Sequence, residues 1–360
     1  MSVWTNWDPL EAVIVGDCYA PGDLDWAIDP SVRSGFNQIL IETKQDLNSL
    51  ADTLTALGVT VYRPHVFTYN KKLEFSTFTV NHPTAPIVPR DQYLVYGDTV
   101  YQTYTSMSDR YVDSTNYYHI FQTLFEQGYN WISQPPPNLP VLKENDKWWL
   151  QGPQVYRNIS NQLLWHTATM FKCGDALITN TRGPGTSAGL EWMRRNVKDG
   201  VIVVNNKTSM SNWGHIDHGF FMTDDDTVFC DNASWVPMCL KHKHLYEIGH
   251  LLKKPTHLPN LAQEYLSTEG KFSAEWIERW LNEWKGYDQA VSFDTNALVV
   301  DSKNIVFTSE LPELFDFLKT LGITAHCCHQ RHAVFWESGV HCFTLDVKRR
   351  GEKRKIVNEV

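Results

Sequence analysis

Apolar positions along this chain fall into two alternating patterns, short unbroken runs and longer segments with apolar residues three and four apart. Val13-Ile14-Val15 follows Asp8-Pro9 and stops at Gly16, the pattern of a buried strand. From Phe36 onward, Ile39, Leu47, Leu50, Leu54 and Leu57 recur at helical spacing. Gly58 ends that helix, and Val59-Thr60-Val61-Tyr62 then predicts a strand closed by Pro64. The same helix, glycine and strand return over residues 117–127 with Gly128 and Asn130-Trp131-Ile132. They return again over 190–197 with Gly200 and 201–204, and over 311–321 with Gly322 and 323–327. A weaker copy covers 242–255, with Gly249 in the glycine's place. Four or five copies of one helix-plus-strand unit predict an internally repeated α/β architecture.

Between the copies, Tyr93-Leu94-Val95-Tyr96 reads as a strand with Gly97-Asp98 as its turn. Residues 296–300 and 305–307 flank Asp301-Ser302-Lys303-Asn304 as a hairpin. Residues 262–287 read as a helical insertion whose Trp276, Trp280 and Trp284 make one aromatic face, a packing surface. Across 360 residues, 42% hydrophobic content and 14 tryptophans supply a large core and exclude a disordered chain or a small disulfide scaffold. A net charge of −9 argues against nucleic acid and anionic membrane as partners. The basic run at 348–355 is expected to be a solvated charged tail. No apolar stretch reaches the ~20 residues that span a bilayer, and residues 1–9 lack a signal-peptide pattern. Seven scattered cysteines are expected as free thiols in a reducing cytoplasm.

Three stretches combine reactive groups with turn glycines. In Gly339-Val340-His341-Cys342 a thiol stands at the mouth of a strand beside an imidazole. In Gly214-His215-Ile216-Asp217, strand spacing would point the imidazole and the carboxylate the same way, a pairing suited to proton transfer and cation recognition. Asp91, in Pro89-Arg90-Asp91, opens the strand at Tyr93. Cys327, Cys328 and His329 fit no zinc spacing, because alternation sends Cys328 away from the other two. Asp224-Asp225-Asp226 reads as a turn between strands, and Gly183-Pro184-Gly185 as a loop.

Taken in order, these stretches resemble the arginine:glycine amidinotransferase family of the guanidino-group-modifying (pentein) superfamily. Residues 6–16 are similar to its opening strand. Gly189-Leu190-Glu191-Trp192-Met193-Arg194-Arg195 is similar to its Gly-Ile-Glu-Trp-Met-Arg-Arg helix, and residues 339–351 to its nucleophile segment. The resemblance runs from Trp4 to Gly351. It implies a single amidinotransferase-like domain over 1–360, a five-bladed pseudo-symmetric α/β propeller of ββαβ units. It also implies Cys342 as nucleophile, His215 as general acid/base, Asp217 and Asp91 as guanidinium carboxylates, and no metal or cofactor. The implied partners are small molecules, a guanidine donor such as arginine and an amine acceptor, with a homo-oligomer compatible.

The chain departs from the family in two places. Where the family carries Phe-Asp-Ala-Ala-Asp-Phe, this chain has Trp165-His166-Thr167-Ala168-Thr169-Met170. His166 replaces the acid that partners the catalytic histidine, leaving either a substitute such as Asp175 or altered chemistry. The family's donor-carboxylate arginine has no clear equivalent, and Ser234 falls near its place. Amidino transfer is the expected activity, with hydrolysis of a guanidine, or guanidine binding without reaction, as alternatives.

Overall fold

The computed structural model describes residues 2–75, 79–80, 82–105, 108–137, 162–180, 185–205, 215–252, 274–284 and 295–358. In chain order the elements begin with β1 (Leu10–Val15), α1 (Arg33–Ala56), β2 (Thr60–Tyr62) and a short hairpin of β3 (Leu73–Glu74) and β4 (Thr79–Val80). Next come β5 (Tyr93–Tyr96), β6 (Thr99–Gln102), α2 (Asp113–Glu126) and β7 (Asn130–Ser133). They are followed by β8 (Met170–Cys173), β9 (Ala176–Asn180), α3 (Ser187–Asn196) and β10 (Val201–Asn205). The second half holds β11 (Phe220–Met222), β12 (Thr227–Cys230), β13 (His244–Glu247) and α4 (Ala274–Arg279). It closes with β14 (Leu298–Asp301), β15 (Asn304–Phe307), α5 (Pro312–Thr320), β16 (Thr324–Cys327), α6 (Ala333–Trp336) and β17 (Thr344–Arg349).

Among the described residues, five three-stranded sheets share one plan. They are β17-β1-β2, β5-β6-β7, β8-β9-β10, β11-β12-β13 and β14-β15-β16. In each, the middle strand pairs antiparallel with one neighbour and parallel with the other. The parallel pairing requires a crossover, and α1, α2, α3 and α5 supply it in four of the units. Three of the expected helix-ending glycines do end helices, whereas Gly200 stands four residues beyond the end of α3 without a positive φ. Gly58, Gly128 and Gly322 take φ of 84, 95 and 75°, the left-handed geometry that a Cβ disfavours. The first sheet joins the two ends of the chain, with Val13 opposite Asp346 and Val15 opposite Thr344.

Each crossover helix buries its apolar stripe against the strands. Phe36, Ile39, Leu47, Leu50 and Leu54 of α1 are at most 1% exposed and share a cluster with Val13 and Val15. Tyr117, Ile120, Phe121 and Leu124 of α2 pack with Val95, Val100 and Leu345.

Three expectations are corrected. The weak copy at 242–255 has no α-helix before its strand. Two 3-10 turns, Ala233–Trp235 and Met238–Leu240, connect β12 to β13, and Gly249 follows the strand. Pro237, which has no N–H to donate, lies between those turns in a connection too short for a packed helix. The basic run is solvated only in part: Arg350, Lys353 and Lys355 are exposed, but others are built into the fold. Arg349 is 2% exposed inside β17, and Arg354 pairs with Asp8 at 2.8 Å and Asp225 at 2.6 Å. Third, His215 and Asp217 do not lie on a strand, because Ile216–His218 forms a 3-10 turn ahead of β11.

Other readings hold. Cys327 is exposed and Cys328 buried, as alternation requires, and residues 223–226 turn between β11 and β12. Of the 262–287 segment, residues 274–284 are helical and Trp280 is fully buried, its Nε1 donating to His332 Nδ1 at 2.9 Å. The remainder, and Gly183-Pro184, lie outside the described residues.

One carboxylate ties several units together. Asp346 of β17 has no exposed surface; it accepts from Arg90 Nη2 at 2.7 Å, Arg349 Nε at 3.0 Å and Lys172 Nζ. Burial alone would raise its pKa, but these three cations hold it well below the usual carboxylate range. Asp346→Asn leaves three buried cations without their anion. Urea unfolding should show a loss of about 3–5 kcal/mol. Because the folded-state pKa is depressed, this contribution is present above the unfolded value of about 3.9 and is lost as pH falls below it. The gap between wild type and variant should therefore narrow below about pH 4.

Candidate active site

Every sequence-predicted site residue lies just before the first strand of a unit. Asp91 ends a 3-10 turn (Pro89–Asp91) two residues before β5. His166 precedes the turn Thr167–Thr169 that leads into β8. His215 precedes, and Asp217 sits within, the turn leading into β11. Cys342 is two residues before β17, and Asn296 two residues before β14.

Side chains and backbone link these turns one to the next. Arg90 Nε donates to the carbonyls of His341 (2.8 Å) and Thr344 (3.1 Å). Thr167 Oγ1 donates to Arg90 O at 2.7 Å, and the His166 and His215 rings stack 4.7 Å apart at 26°. Thr295 Oγ1 donates to His218 O at 2.6 Å. Asn296 Oδ1 accepts from the amides of His341 (3.1 Å) and Cys342 (3.2 Å), closing the circuit. Gly339 makes room for this amide, since a Cβ there would stand 2.6 Å from Asn296 Oδ1.

The circuit brings all five predicted residues into one buried cluster. Ligand-type atoms of His215, Asp217, His218 and Cys342 lie within 4.8 Å of one another, as do those of Asp91, His166 and His215. Asn296 Nδ2 donates to Cys342 Sγ at 3.2 Å and to Asp217 Oδ2 at 2.8 Å, and the thiol faces that oxygen at 3.5 Å. His341 Nδ1 also meets Asp217 Oδ2, at 2.6 Å; an ionised carboxylate only accepts, so the imidazole donates. Burial raises the Asp217 pKa, but the His341 bond and the surrounding imidazoles reverse this and hold it far below the usual range. The buried His341 is itself pushed down to about 4, mainly by desolvation and next by Arg90, so it is neutral near pH 7.

Asp91 is held on one side by Arg110, whose Nη1 donates to Oδ2 and whose Nε donates to Asp113 at 3.2 Å. Burial opposes ionisation of Asp91, but the facing His166 ring, Arg110 and His215 outweigh it and keep the carboxyl below its ordinary pKa. His166 Nε2 lies 3.5 Å from Asp91 Oδ2, and desolvation pushes its pKa down to about 3. His166 is therefore neutral near pH 7, unlike the acid that the resemblance leads one to expect there. Asp175 is no substitute: it sits in the β8–β9 turn, at the far end of β8 from His166, and its amide donates to Arg354 O. Ser234 lies in a 3-10 turn whose N-cap, Asn232, accepts from its amide.

Several polar atoms in the cluster are buried without a hydrogen-bond partner: Asp91 Oδ1, Asp217 Oδ1, His166 Nδ1 and both His215 nitrogens. Buried polar atoms are normally paired, so this group is arranged for something that arrives from outside. Two carboxylate oxygens suit a planar cation with several N–H donors, and a free imidazole suits proton transfer. The Cys342 thiol is pushed well above its ordinary pKa by burial, then by Asp217 and Asp91, against the opposing Asn296 bond and Arg90. It is protonated near pH 7 until positive charge comes in.

Asn296, His218 and Arg110 carry no motif that marks them in the sequence, and His341 is marked only as the imidazole beside the thiol. Asn296 had a positional signal, because it stands two residues before its hairpin, as Asp91 and Cys342 stand two residues before their strands.

With this geometry in hand, comparison with known proteins becomes specific. Over 97% of both chains, the sequence is 25% identical to inosamine-phosphate amidinotransferase 1 of Streptomyces griseus. It is 21% identical to the mitochondrial glycine amidinotransferase of Xenopus tropicalis, covering 97% of this chain and 82% of that one. The chain is a homologue of the amidinotransferases. No protein-family model matches it. The fold is theirs too. An amidinotransferase of the saxitoxin biosynthetic pathway of Microseira wollei superposes with a TM-score of 0.72 at 20% identity, over 99% of each chain. The dimethylarginine dimethylaminohydrolase of Pseudomonas aeruginosa matches more loosely, with a TM-score of 0.53 at 11% identity over 94% of this chain and 99% of that one. Among the described residues of this amidinotransferase homologue, no helix is long and apolar enough to cross a membrane.

The charge environment of Cys342 gives a direct test. Iodoacetamide alkylation of this cysteine, followed by peptide mass spectrometry, should be slower at pH 7.5 than for a free thiol and should rise with pH. Asp217→Asn removes the nearest negative charge, and the rate at pH 7.5 should increase about three- to tenfold.

Proposed function

We propose that the protein transfers an amidino group from arginine or a related guanidine to a primary amine, through an amidino adduct on Cys342. The observation that carries this reading is the convergence of Cys342, His215, Asp217 and Asp91 in one buried cluster with unpartnered carboxylate and imidazole atoms. Homology to amidinotransferases over nearly the whole chain supports it.

Asp91 and Asp217 take the guanidinium N–H groups and orient the central carbon toward Cys342. The arriving cation offsets the two carboxylates that keep the thiol protonated, so substrate binding itself favours the thiolate. The thiol proton passes to His215, sulfur attacks the guanidinium carbon, the bond from that carbon to the donor's alkyl nitrogen breaks, and His215 gives that proton to the departing amine. The acceptor amine then attacks the amidino carbon, His215 takes back a proton, and the Cys342 sulfur leaves. Asn296 positions both the thiol and Asp217, and its two backbone bonds hold the turn that carries Cys342.

The five matched sheets and the circuit of turns support a further reading as a five-bladed α/β propeller forming one domain over 1–360. Free thiols at all seven cysteines fit a reducing cytoplasm. Hydrolysis is the second reading: water replaces the acceptor amine, as the fold likeness to a dimethylarginine dimethylaminohydrolase suggests.

Incubation with arginine should add about 42 Da, one amidino group replacing a proton, to the intact protein, and Cys342→Ala should abolish the adduct. Ornithine and a new guanidine should form with an amine panel. Citrulline or urea without added amine points to the hydrolase, and no adduct and no product defeat both readings. His166→Asp supplies the imidazole with an anionic neighbour and should raise the turnover rate by about tenfold or more.

A further inference from the structure

Asp91, His166 and His215 form a group that guanidinium recognition does not fully use. All three are buried, and one nitrogen or oxygen from each lies within 4.8 Å of the others. Arg110 occupies Asp91 Oδ2 and leaves Oδ1 without a hydrogen bond. His166 Nδ1 and both nitrogens of His215 are likewise buried without partners. A guanidinium can donate N–H groups to Asp91 and to an imidazole lone pair, whereas a cation would take one lone pair from each of the three residues at a single point. An electron-pair acceptor would satisfy all three residues together.

We propose that Asp91, His166 and His215 bind a borderline first-row divalent cation, of the Zn2+ and Co2+ class. Two imidazoles and one carboxylate are a donor set that such cations take in a tetrahedral site, with the fourth position left to water. Ligands of a tetrahedral zinc lie about 3.3 Å apart, so closing the group around a cation takes side-chain shifts of about 1 Å. Arg110 fixes Asp91 from behind, the outer support that metal-binding carboxylates commonly have. The neighbouring group of His215, Asp217, His218 and Cys342 is the weaker candidate. There, Asp217 Oδ2 already takes bonds from Asn296 and His341, and Asn296 also holds the sulfur. His166 decides the matter, because the site exists only where an imidazole stands at that position.

The cation and a substrate guanidinium would compete for Asp91. That consequence rests on the proposed function, whereas cation binding itself does not. The test therefore uses the untagged full-length chain, stripped with chelator, with no guanidine present. Zn2+ is titrated by calorimetry and Co2+ by visible absorption. One equivalent should bind, and the Co2+ spectrum should lack the near-ultraviolet band of a thiolate ligand. Loss of a supporting residue already weakens metal sites about 10- to 100-fold. His166→Gln and His215→Gln should each weaken binding at least about 100-fold, while Cys342→Ala should leave it within about threefold. Thermal melts of the metal-free variants establish that each is folded, and the wild-type Co2+ spectrum is a readout that depends on no variant. No bound equivalent, a thiolate band, loss of binding in Cys342→Ala, or unchanged binding in folded His166→Gln would each overturn the proposal. Any of these results leaves the amidino adduct on Cys342 to be judged by its own mass measurement.

Discussion

A fully buried carboxylate needs cations, and Asp346 finds them in three places far apart in the sequence. Arg90 comes from the turn before β5, Lys172 from β8 and Arg349 from the end of β17 itself. Moving that many charges out of water is costly unless the geometry is well satisfied, so the cluster permits only a narrow range of relative positions for these elements. Arg90 extends the constraint, because the side chain that meets Asp346 also holds the carbonyls of His341 and Thr344 on either side of Cys342 and Phe343. The turn bearing the thiol and the turn bearing Asp91 are therefore held by one guanidinium.

That arrangement explains how a site can be assembled from turns, usually the more mobile parts of a fold. Each turn leads into a strand whose hairpin is buried on a packed core, and each is hydrogen-bonded or ring-stacked to its neighbours. Asn296 shows the economy of the design. Its amide oxygen takes two backbone N–H groups from the Cys342 turn, and its amide nitrogen reaches both the sulfur and Asp217. The site has a cost in unpaired atoms and in a thiol held protonated by burial and by two carboxylates. Under the proposed function both costs fall when a guanidinium enters, so substrate binding would drive activation of the thiol.

His166 stands where the sequence resemblance leads one to expect an acid. A neutral imidazole stacked on another imidazole cannot stabilise positive charge as a carboxylate does. It does, however, bring a second nitrogen donor beside Asp91. On the proposed readings, the same residue weakens amidino transfer and supplies a donor for a cation.

Much was legible in the sequence for local reasons. The glycines at 58, 128 and 322 end helices because of backbone sterics that involve only the residue itself and its neighbours. The apolar stripes of α1 and α2 declare their buried faces by spacing alone. Repetition of those units was enough for a repeated α/β architecture, and the resemblance around Cys342 and the other motifs supplied the predicted site residues. The misread places depended on partners distant in the chain. The C-terminal basic run looks solvated until Asp346, Asp8 and Asp225 are known to surround it. His215 and Asp217 look like strand neighbours until a 3-10 turn and the facing His166 and His341 set their directions. Asn296 is an ordinary strand-end residue until the other end of the chain folds back against it. The sequence by itself determined most of the helices and strands, because propensity and periodicity are local, and its family resemblance supplied the candidate site residues. Which side chains meet, in what state of charge and with which atoms unpaired, was decided only by the tertiary structure. Burial and electrostatic coupling depend on everything packed around a group, regardless of its distance along the chain.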